Sequence, residues 1–372
     1  MKKSKLLILI PTLNVGGAEK IVLYLINNLS ESDFEISLVL LKNQKPLASQ
    51  FNKKISIYYL YNNKNFLINI LLSPFIFFKV LKKISPDIIH SNLWGLYTFP
   101  LISLILYRNK IKLYSTIHTS GKSYTSKKLF DLLSFYIEKK IYTIFNFTLI
   151  AVSNEVQKML ISMGFKNKIR LISNGVEFCG IDNLIISKIK SKLSSGYTCP
   201  ILVHVGNSNE VKRHIDIINA CKLLNDNKND FKLILIGKGI LQNFGAIINN
   251  SGFKSKIHVF ENCKNAHRIL SISDIGIFPS LYEGCPLSLI EMMSHSLPII
   301  ATNIESIKEI TNNGSCAILV NTKSPIEIYK AIIDLLKNRF LFDELATNSN
   351  IIYSKNYSMN IMINKYENLF KN

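Results

Sequence analysis

A chain of 372 residues with 48% hydrophobic and 19% charged residues has the length of two globular domains and is too apolar for a disordered chain. No stretch reaches the roughly 18 charge-free apolar residues of a membrane-spanning helix, and six scattered cysteines without a CxxC pair exclude a disulfide framework or a zinc ribbon. The formal charge of +20 is uneven, because residues 1–175 hold 24 Lys and Arg against 8 Asp and Glu. A basic half points to a polyanion or an anionic membrane surface, although a genome that favours lysine codons would also raise the count.

The N-terminus imitates a signal peptide, with Lys2, Lys3 and Lys5 ahead of the apolar run Leu6 to Ile10. The run is short and lacks a small-residue cleavage site, so it reads as a first buried strand and the protein as cytoplasmic. Pro11 to Gly17 is the following turn, and a helix begins at Ala18-Glu19 and runs through Leu29. Two glycines between strand and helix let the backbone approach an anion, though taken alone a simple tight turn explains them better. Phe34 to Leu41 and Ile55 to Leu60 read as strands. Phe66 to Lys83 reads as a helix that Pro74 must start or kink. Leu96 to Arg108 and Lys127 to Phe147 read as further helices. Their apolar stripes flanked by lysines suit either packing on a sheet or an interfacial position. Ile88-Ile89 and Lys112 to His118 read as strands, and His118 then falls at the ligand edge of an open sheet. His90 is a weaker candidate, and a lone His is as often structural. Thr148 to Val152 is the next strand, and Ser153 is an N-cap for a helix to Met163.

Residues 180–200 are polar and rich in Lys and Ser, and read as a helix and loop between domains. Ile201 to Val205 opens a second set of strands. It leads into Gly206-Asn207-Ser208-Asn209-Glu210-Val211-Lys212-Arg213-His214, a glycine, a loop and then cations. That order suits a phosphate clamp, as well as a plain basic loop. Lys232 to Gly237 and Ile257 to Phe260 are strands. Then come Asp274 to Phe278 as a strand, Pro279 to Cys285 as a turn, a helix that begins at Pro286, whose fixed φ suits the first helical position, and Leu297 to Ala301 as a strand. Glu283 lies on the turn and Glu291 between one and two turns into the helix. The free N–H groups after Gly284 can receive a phosphate; otherwise Glu283 caps the helix and Glu291 is a surface residue. Ala317 to Val320 is a last strand, Pro325 to Leu336 a helix before a polar tail, and Tyr357 to Leu369 a closing helix.

Several of these stretches resemble one family in the correct order. Glu283 and Glu291 with seven residues between them, flanked by Pro279-Ser280, Gly284, Pro286-Leu287 and Pro298, resemble the E-x7-E signature of glycosyltransferase family 4. Gly16-Gly17-Ala18-Glu19 resembles that family's GGAE turn. The sequence departs from the pattern at Cys285, where an aromatic residue is usual, at Ser296, where a glycine is usual, and at Asn207, where a phosphate-binding Arg is usual. The resemblance implies an α/β protein of the GT-B fold, with two doubly wound Rossmann-like domains facing a cleft. Residues 1–178 with the closing helix 356–372 would form the acceptor side, and residues 179–355 the nucleotide-sugar side.

The same resemblance implies the chemistry. Glu291 would accept hydrogen bonds from ribose hydroxyls, and Glu283 would hold the sugar. His118 would lie near the transferred sugar. Gly16, Gly17, Gly206, Asn207, Lys212, Gly284, Cys285, Pro286 and Leu287 would line the donor, and Arg213 is a possible substitute for the Arg absent at Asn207. No D-x-D sequence occurs, so neither a metal nor another cofactor is expected; the nucleotide-sugar, a UDP-sugar by expectation, is a co-substrate. The expected activity is retaining hexosyl transfer to a lipid-linked or growing surface polysaccharide of the lipopolysaccharide or capsule kind, peripheral to the inner face of the plasma membrane. Two rivals stand beside it: a GT-B nucleotide-sugar epimerase, which needs no acceptor, and a basic nucleic-acid-binding module, which the small-anion motifs disfavour.

Overall fold

In the computed structural model, which describes residues 3–61, 65–107, 109–118, 129–180, 199–261, 263 and 266–372, the chain divides into two compact units. Unit 1 is residues 1–174 with 359–372, and unit 2 is residues 175–358. The helix and loop expected over 180–200 fall almost wholly outside the described residues.

Unit 1 is built on seven parallel strands: β1 (Ser4–Ile10), β2 (Phe34–Leu40), β3 (Ser56–Tyr59), β4 (Ile88–Ser91), β5 (Lys112–Ile117), β6 (Thr148–Ala151) and β7 (Ile169–Leu171). Their order is β3-β2-β1-β4-β5-β6-β7. The run Leu6 to Ile10 is buried throughout because helices cover both faces of a parallel sheet, which removes the alternation of a half-exposed strand. The order reverses between β1 and β4, and open sheets of this kind bind ligands beyond the strand C-termini at such a reversal.

The helix Phe66–Ile84 runs through Pro74 instead of starting there. Proline at that position leaves the carbonyl of Ile70 without its helical N–H. The Ser73 hydroxyl donates to Ile70 O at 2.7 Å and satisfies it. The helix expected over Leu96 to Arg108 is instead a 3-10 segment, Gly95–Leu106. Pro100 lies inside it and denies one amide to an α-helical ladder, while Gly95 enters it at φ +54. The helix expected from Lys127 to Phe147 is described as Leu129–Ile144.

The closing helix Met359–Lys371 docks on unit 1 through aromatic rings. Phe370 stands 6.2 Å from Phe34 and 5.3 Å from Tyr114, centroid to centroid. Beneath it, buried His90 bonds Thr116 Oγ1 at 2.8 Å, and Thr116 Oγ1 bonds the Tyr366 hydroxyl at 3.0 Å. Burial pushes the His90 imidazole down to about 3, against roughly 6.5 in an unfolded chain. Between those values the unfolded chain binds the extra proton, so this stabilisation is complete above about pH 6.5 and is lost as pH falls toward the folded value. The unfolding temperature is therefore expected to drop on acidification from pH 7 to 4.5. His90→Asn should flatten the drop in calorimetry; an unchanged slope would assign it to other groups.

Unit 2 holds six parallel strands: β8 (Ile201–Val205), β9 (Lys232–Ile236), β10 (Ile257–Phe260), β11 (Ile275–Phe278), β12 (Ile299–Thr302) and β13 (Ala317–Val320). They run in the order β10-β9-β8-β11-β12-β13, and the reversal falls between β8 and β11. The core packs Leu202, Leu235 and Ile277 against Ile217 and Leu224 of the helix His214–Asp226 and Ile332 of the helix Pro325–Lys337. The polar tail of the sequence reading is a helix, Arg339–Ile352, capped by the Asn338 side chain accepting from Leu341 N at 3.0 Å. Its buried face is only Leu345 and Ser349, too sparse to show as an apolar period.

Candidate active site

At the reversal point of unit 1, the turn after β1 leads into the helix Gly17–Asn28. Gly16 is extended, with φ −149, so its conformation does not demand glycine. A Cβ there would meet only the far end of the Glu19 side chain, whose carboxylate would have to shift. Burial pushes that carboxyl up, against a hydrogen bond from Thr12 that lowers it. Asn92 follows β4, and its N–H donates to Leu9 O of β1 at 2.8 Å. Asn92 Oδ1 accepts from His118 Nε2 at 2.9 Å, and His118 directly follows β5. Burial pushes the His118 imidazole down to about 4. The ring is therefore neutral at pH 7, with Nε2 carrying its proton toward Asn92 and Nδ1 as the acceptor. His118 and Asn92 thus share the ligand edge, whereas His90 is locked in the core beneath the closing helix.

In unit 2 the loops after β8, β9 and β11 converge. Gly206 N donates to Ile236 O at 2.8 Å, and Lys238 N donates to Asn207 Oδ1 at 3.0 Å. A Cβ at Gly237 would overlap the Gly206 carbonyl, so only glycine allows this approach. Leu281 N donates to Val211 O at 2.9 Å and fastens the β11 loop to the β8 loop. The two candidate ionic groups then meet: Lys212 Nζ lies 2.5 Å from Glu283 Oε1 and 4.7 Å above the Phe278 ring. The ring buries the lysine stem while Glu283 fixes its head.

The helix Leu287–Ser294 starts after Pro286, which occupies the cap position with ψ 119 instead of the first helical turn. No side chain among the described residues caps this end, so the first-turn N–H groups remain available to an anion. Gly284, Cys285, Pro286 and Leu287 are all buried and form the packed base of the turn. Glu291 is 2% exposed, which rules out a solvated surface carboxylate. The structure brings Gly206, Asn207, Lys212, Glu283 and the start of this helix to the ligand edge of unit 2.

Arg213, the possible substitute for the Arg absent at Asn207, is engaged by its own helix. Its Nε and Nη2 donate to the two carboxylate oxygens of buried Asp216 at 2.8 and 2.7 Å. The backbone at Arg213 is left-handed, with φ 50, and turns the fork back onto its own helix. Arg213→Ala is expected to lower the unfolding temperature, because it strands a buried carboxylate, and to leave the donor KM within about twofold. A tenfold rise in KM with an unchanged melting curve would reverse that assignment.

Four contributors lie outside the site residues that the sequence motifs point to. Asn92 is one, Phe278 beneath Lys212 is another, and the last two are buried histidines under Gly206. His204 Nδ1 donates to Ile277 O at 2.8 Å, and His214 Nε2 donates to Gly206 O at 3.2 Å. Burial is the largest cause of both low imidazole values: His204 lies well below its ordinary value and His214 is pushed down to about 4. Both rings are neutral supports of the loop. Their positions at a strand end and a helix start could be read from sequence, but their tautomers could not.

Each half of the chain matches a family model: residues 15–178 match Glycosyltransferase Family 4 and residues 186–353 match Glycosyl transferases group 1. Among relatives, the capsular polysaccharide biosynthesis glycosyltransferase CapH of Staphylococcus aureus is 29% identical over 64% of this chain, and the match spans 65% of CapH. The N-acetylgalactosamine-N,N'-diacetylbacillosaminyl-diphospho-undecaprenol 4-alpha-N-acetylgalactosaminyltransferase of Campylobacter jejuni is 22% identical over 90% of each chain. Among solved structures, a glycosyltransferase of Rickettsia africae superposes with a TM-score of 0.81 at 20% identity, over 100% of this chain and 98% of that one. HepE of Anabaena, solved in complex with UDP-glucose, superposes with a TM-score of 0.84 at 16% identity over 99% of each chain. Two parallel sheets in these orders, a superposition over whole chains and two family matches in sequence order agree: the chain belongs to glycosyltransferase family 4, the group 1 glycosyl transferases of the GT-B fold.

Proposed function

We propose that this protein is a retaining, metal-independent hexosyltransferase that moves a sugar from a UDP-sugar to a lipid-linked or growing surface polysaccharide at the inner face of the plasma membrane. The observation that carries the reading is the gathering of Lys212, Glu283 and the open helix start at the reversal point of the unit 2 sheet. Glu291 holds the ribose hydroxyls, and Glu283 orients the sugar. Lys212 and the first-turn N–H groups of Leu287–Ser294 take the negative charge that grows on the leaving diphosphate. From unit 1, neutral His118 hydrogen-bonds a sugar hydroxyl, and the Gly16-Gly17 turn serves the phosphates.

In the reaction the bond from the anomeric carbon to the diphosphate breaks, and an acceptor hydroxyl oxygen bonds the same face of that carbon. The acceptor proton passes to the departing phosphate oxygen, and UDP leaves. Two things support the donor and acceptor classes: HepE binds UDP-glucose, and two relatives are named for a capsule and for a diphospho-undecaprenol acceptor. The test is a panel of UDP-sugars incubated with lipid-linked acceptors in the presence of a chelator. UDP release coupled to a product that keeps the donor's anomeric configuration, read by NMR, is expected. An inverted product, or turnover of the donor to an epimer without acceptor, would refute the reading.

A further inference from the structure

Trp94 is the only tryptophan in the chain. It lies two residues past Asn92, between β4 and the segment Gly95–Leu106, at the ligand edge of the unit 1 sheet. Its side chain is 49% exposed. A single exposed aromatic is ordinary on a protein surface. The buried polar framework that holds this one is not.

The carbonyl before it, Leu93 O, accepts from the buried Tyr142 hydroxyl at 2.8 Å, and that hydroxyl accepts from Ser115 of β5 at 2.8 Å. The amide after it, Gly95 N, donates to the buried Glu138 carboxylate of the helix Leu129–Ile144 at 2.9 Å. Gly95 O accepts from the buried Thr98 hydroxyl at 2.7 Å. Gly95 is left-handed, with φ +54, so this turn favours glycine. Burying a carboxylate is costly, and this one is set against the amide that aims Trp94. The Tyr97 ring stands 5.6 Å from the indole at 77°, and the Phe66 ring stands 5.9 Å from Tyr97. Backbone bonds from the core and an edge-to-face ring thus fix the indole in advance of any ligand.

The surroundings select the ligand class. Residues 88–107 contain no Lys, Arg, Asp or Glu, although the half of the chain around them is strongly basic. A seat for a phosphate or another anion would carry cations here. This stretch offers an aromatic face with apolar and neutral polar groups. Such a surface fits a neutral pyranose, whose ring C–H bonds are polarised by its oxygens and are drawn to the negative face of an indole. We infer that Trp94 is a stacking platform for a neutral sugar ring of the acceptor and helps set which acceptor is used. Asn92, two residues away, holds His118 at 2.9 Å. A sugar stacked on Trp94 would therefore lie close to the group that meets the transferred sugar. That it is the acceptor's ring rests on the function proposed above; the binding of a sugar ring does not.

With one tryptophan in the chain, indole emission reads this residue alone. The test records emission of the full chain while methyl glycosides of glucose, galactose, N-acetylglucosamine and N-acetylgalactosamine are added at millimolar concentration. Sorbitol, which has the hydroxyls but no ring face, is the control. A saturable change with at least one glycoside and none with sorbitol is expected. In transfer to lipid-linked acceptors, Trp94→Ala should raise the acceptor KM about tenfold and hold the donor KM, with the melting curve retained. Trp94→Phe keeps a smaller ring face and should recover most of the loss. Emission that no glycoside changes, a response equal to that of sorbitol, or an unchanged acceptor KM in the alanine variant would overturn the platform. Quenching by UDP that the glycosides reverse would assign the indole to the nucleotide and overturn it as well. A saturable glycoside response in a protein that transfers from no UDP-sugar would instead sink the proposed function and leave the platform standing.

Discussion

Glu291→Ala is expected to raise the dissociation constant for UDP by two orders of magnitude or more while the protein remains folded. Glu291 is 2% exposed and lies near the start of a helix whose first turn no side chain caps. An ionised carboxylate accepts two hydroxyl bonds at once, and each charge-assisted bond contributes about 1.5–3 kcal/mol. Two such bonds lost correspond to a factor of roughly 100 or more, since about 1.4 kcal/mol is tenfold. Glu291→Gln retains one acceptor oxygen and loses the charge, so a smaller loss, about tenfold, is expected. Titration calorimetry with UDP reads both, and affinity within threefold of wild type in the alanine variant would remove Glu291 from the site.

Lys212→Met is expected to reduce kcat by about two to three orders of magnitude, the range for deleting one preorganised group that stabilises developing charge. Methionine keeps an apolar stem over Phe278, so the loop keeps most of its packing and the deletion isolates the charge. In the proposed reaction the cation acts on the leaving diphosphate, so kcat should fall more than KM rises. The side chain also holds Glu283 at 2.5 Å. Glu283→Gln should therefore lower kcat too, and the double variant should cost less than the two single losses combined. A Lys212→Met enzyme with wild-type kcat would move the charge stabilisation elsewhere, with exposed Lys238, whose N–H bonds Asn207, as the next candidate.

Much of this molecule is legible in its sequence because parallel strands buried on both faces are continuous apolar runs. Leu6 to Ile10, Ile201 to Val205 and Ile275 to Phe278 announce themselves, and so do the turns that follow them. The spacing of Glu283 and Glu291 was informative only beside the other motifs; that Glu291 is buried and Glu283 paired emerges from packing. Arg213 shows the limit most clearly. In sequence it stands beside Lys212 as a second cation for a phosphate, yet a left-handed backbone turns its fork onto Asp216, three residues on. Pro74 shows the same limit in a helix, since the neighbouring Ser73 hydroxyl satisfies the carbonyl that proline orphans. The helix Arg339–Ile352 leaves no apolar period in the sequence because its buried face is two residues wide. The outward stripe of Phe66–Ile84 could not be told from a sheet-facing one, because the helix is apolar on both sides.

The claim that unit 2 holds a nucleotide-sugar by its ribose and diphosphate meets its most direct test in one thermodynamic cycle. UDP and its 2′,3′-dideoxy analogue are titrated into wild type and Glu291→Ala. Removing the hydroxyls is expected to cost the wild type tens-fold or more in affinity and the alanine variant almost nothing, because carboxylate and hydroxyls act on each other. Equal losses in both proteins would contradict the assignment.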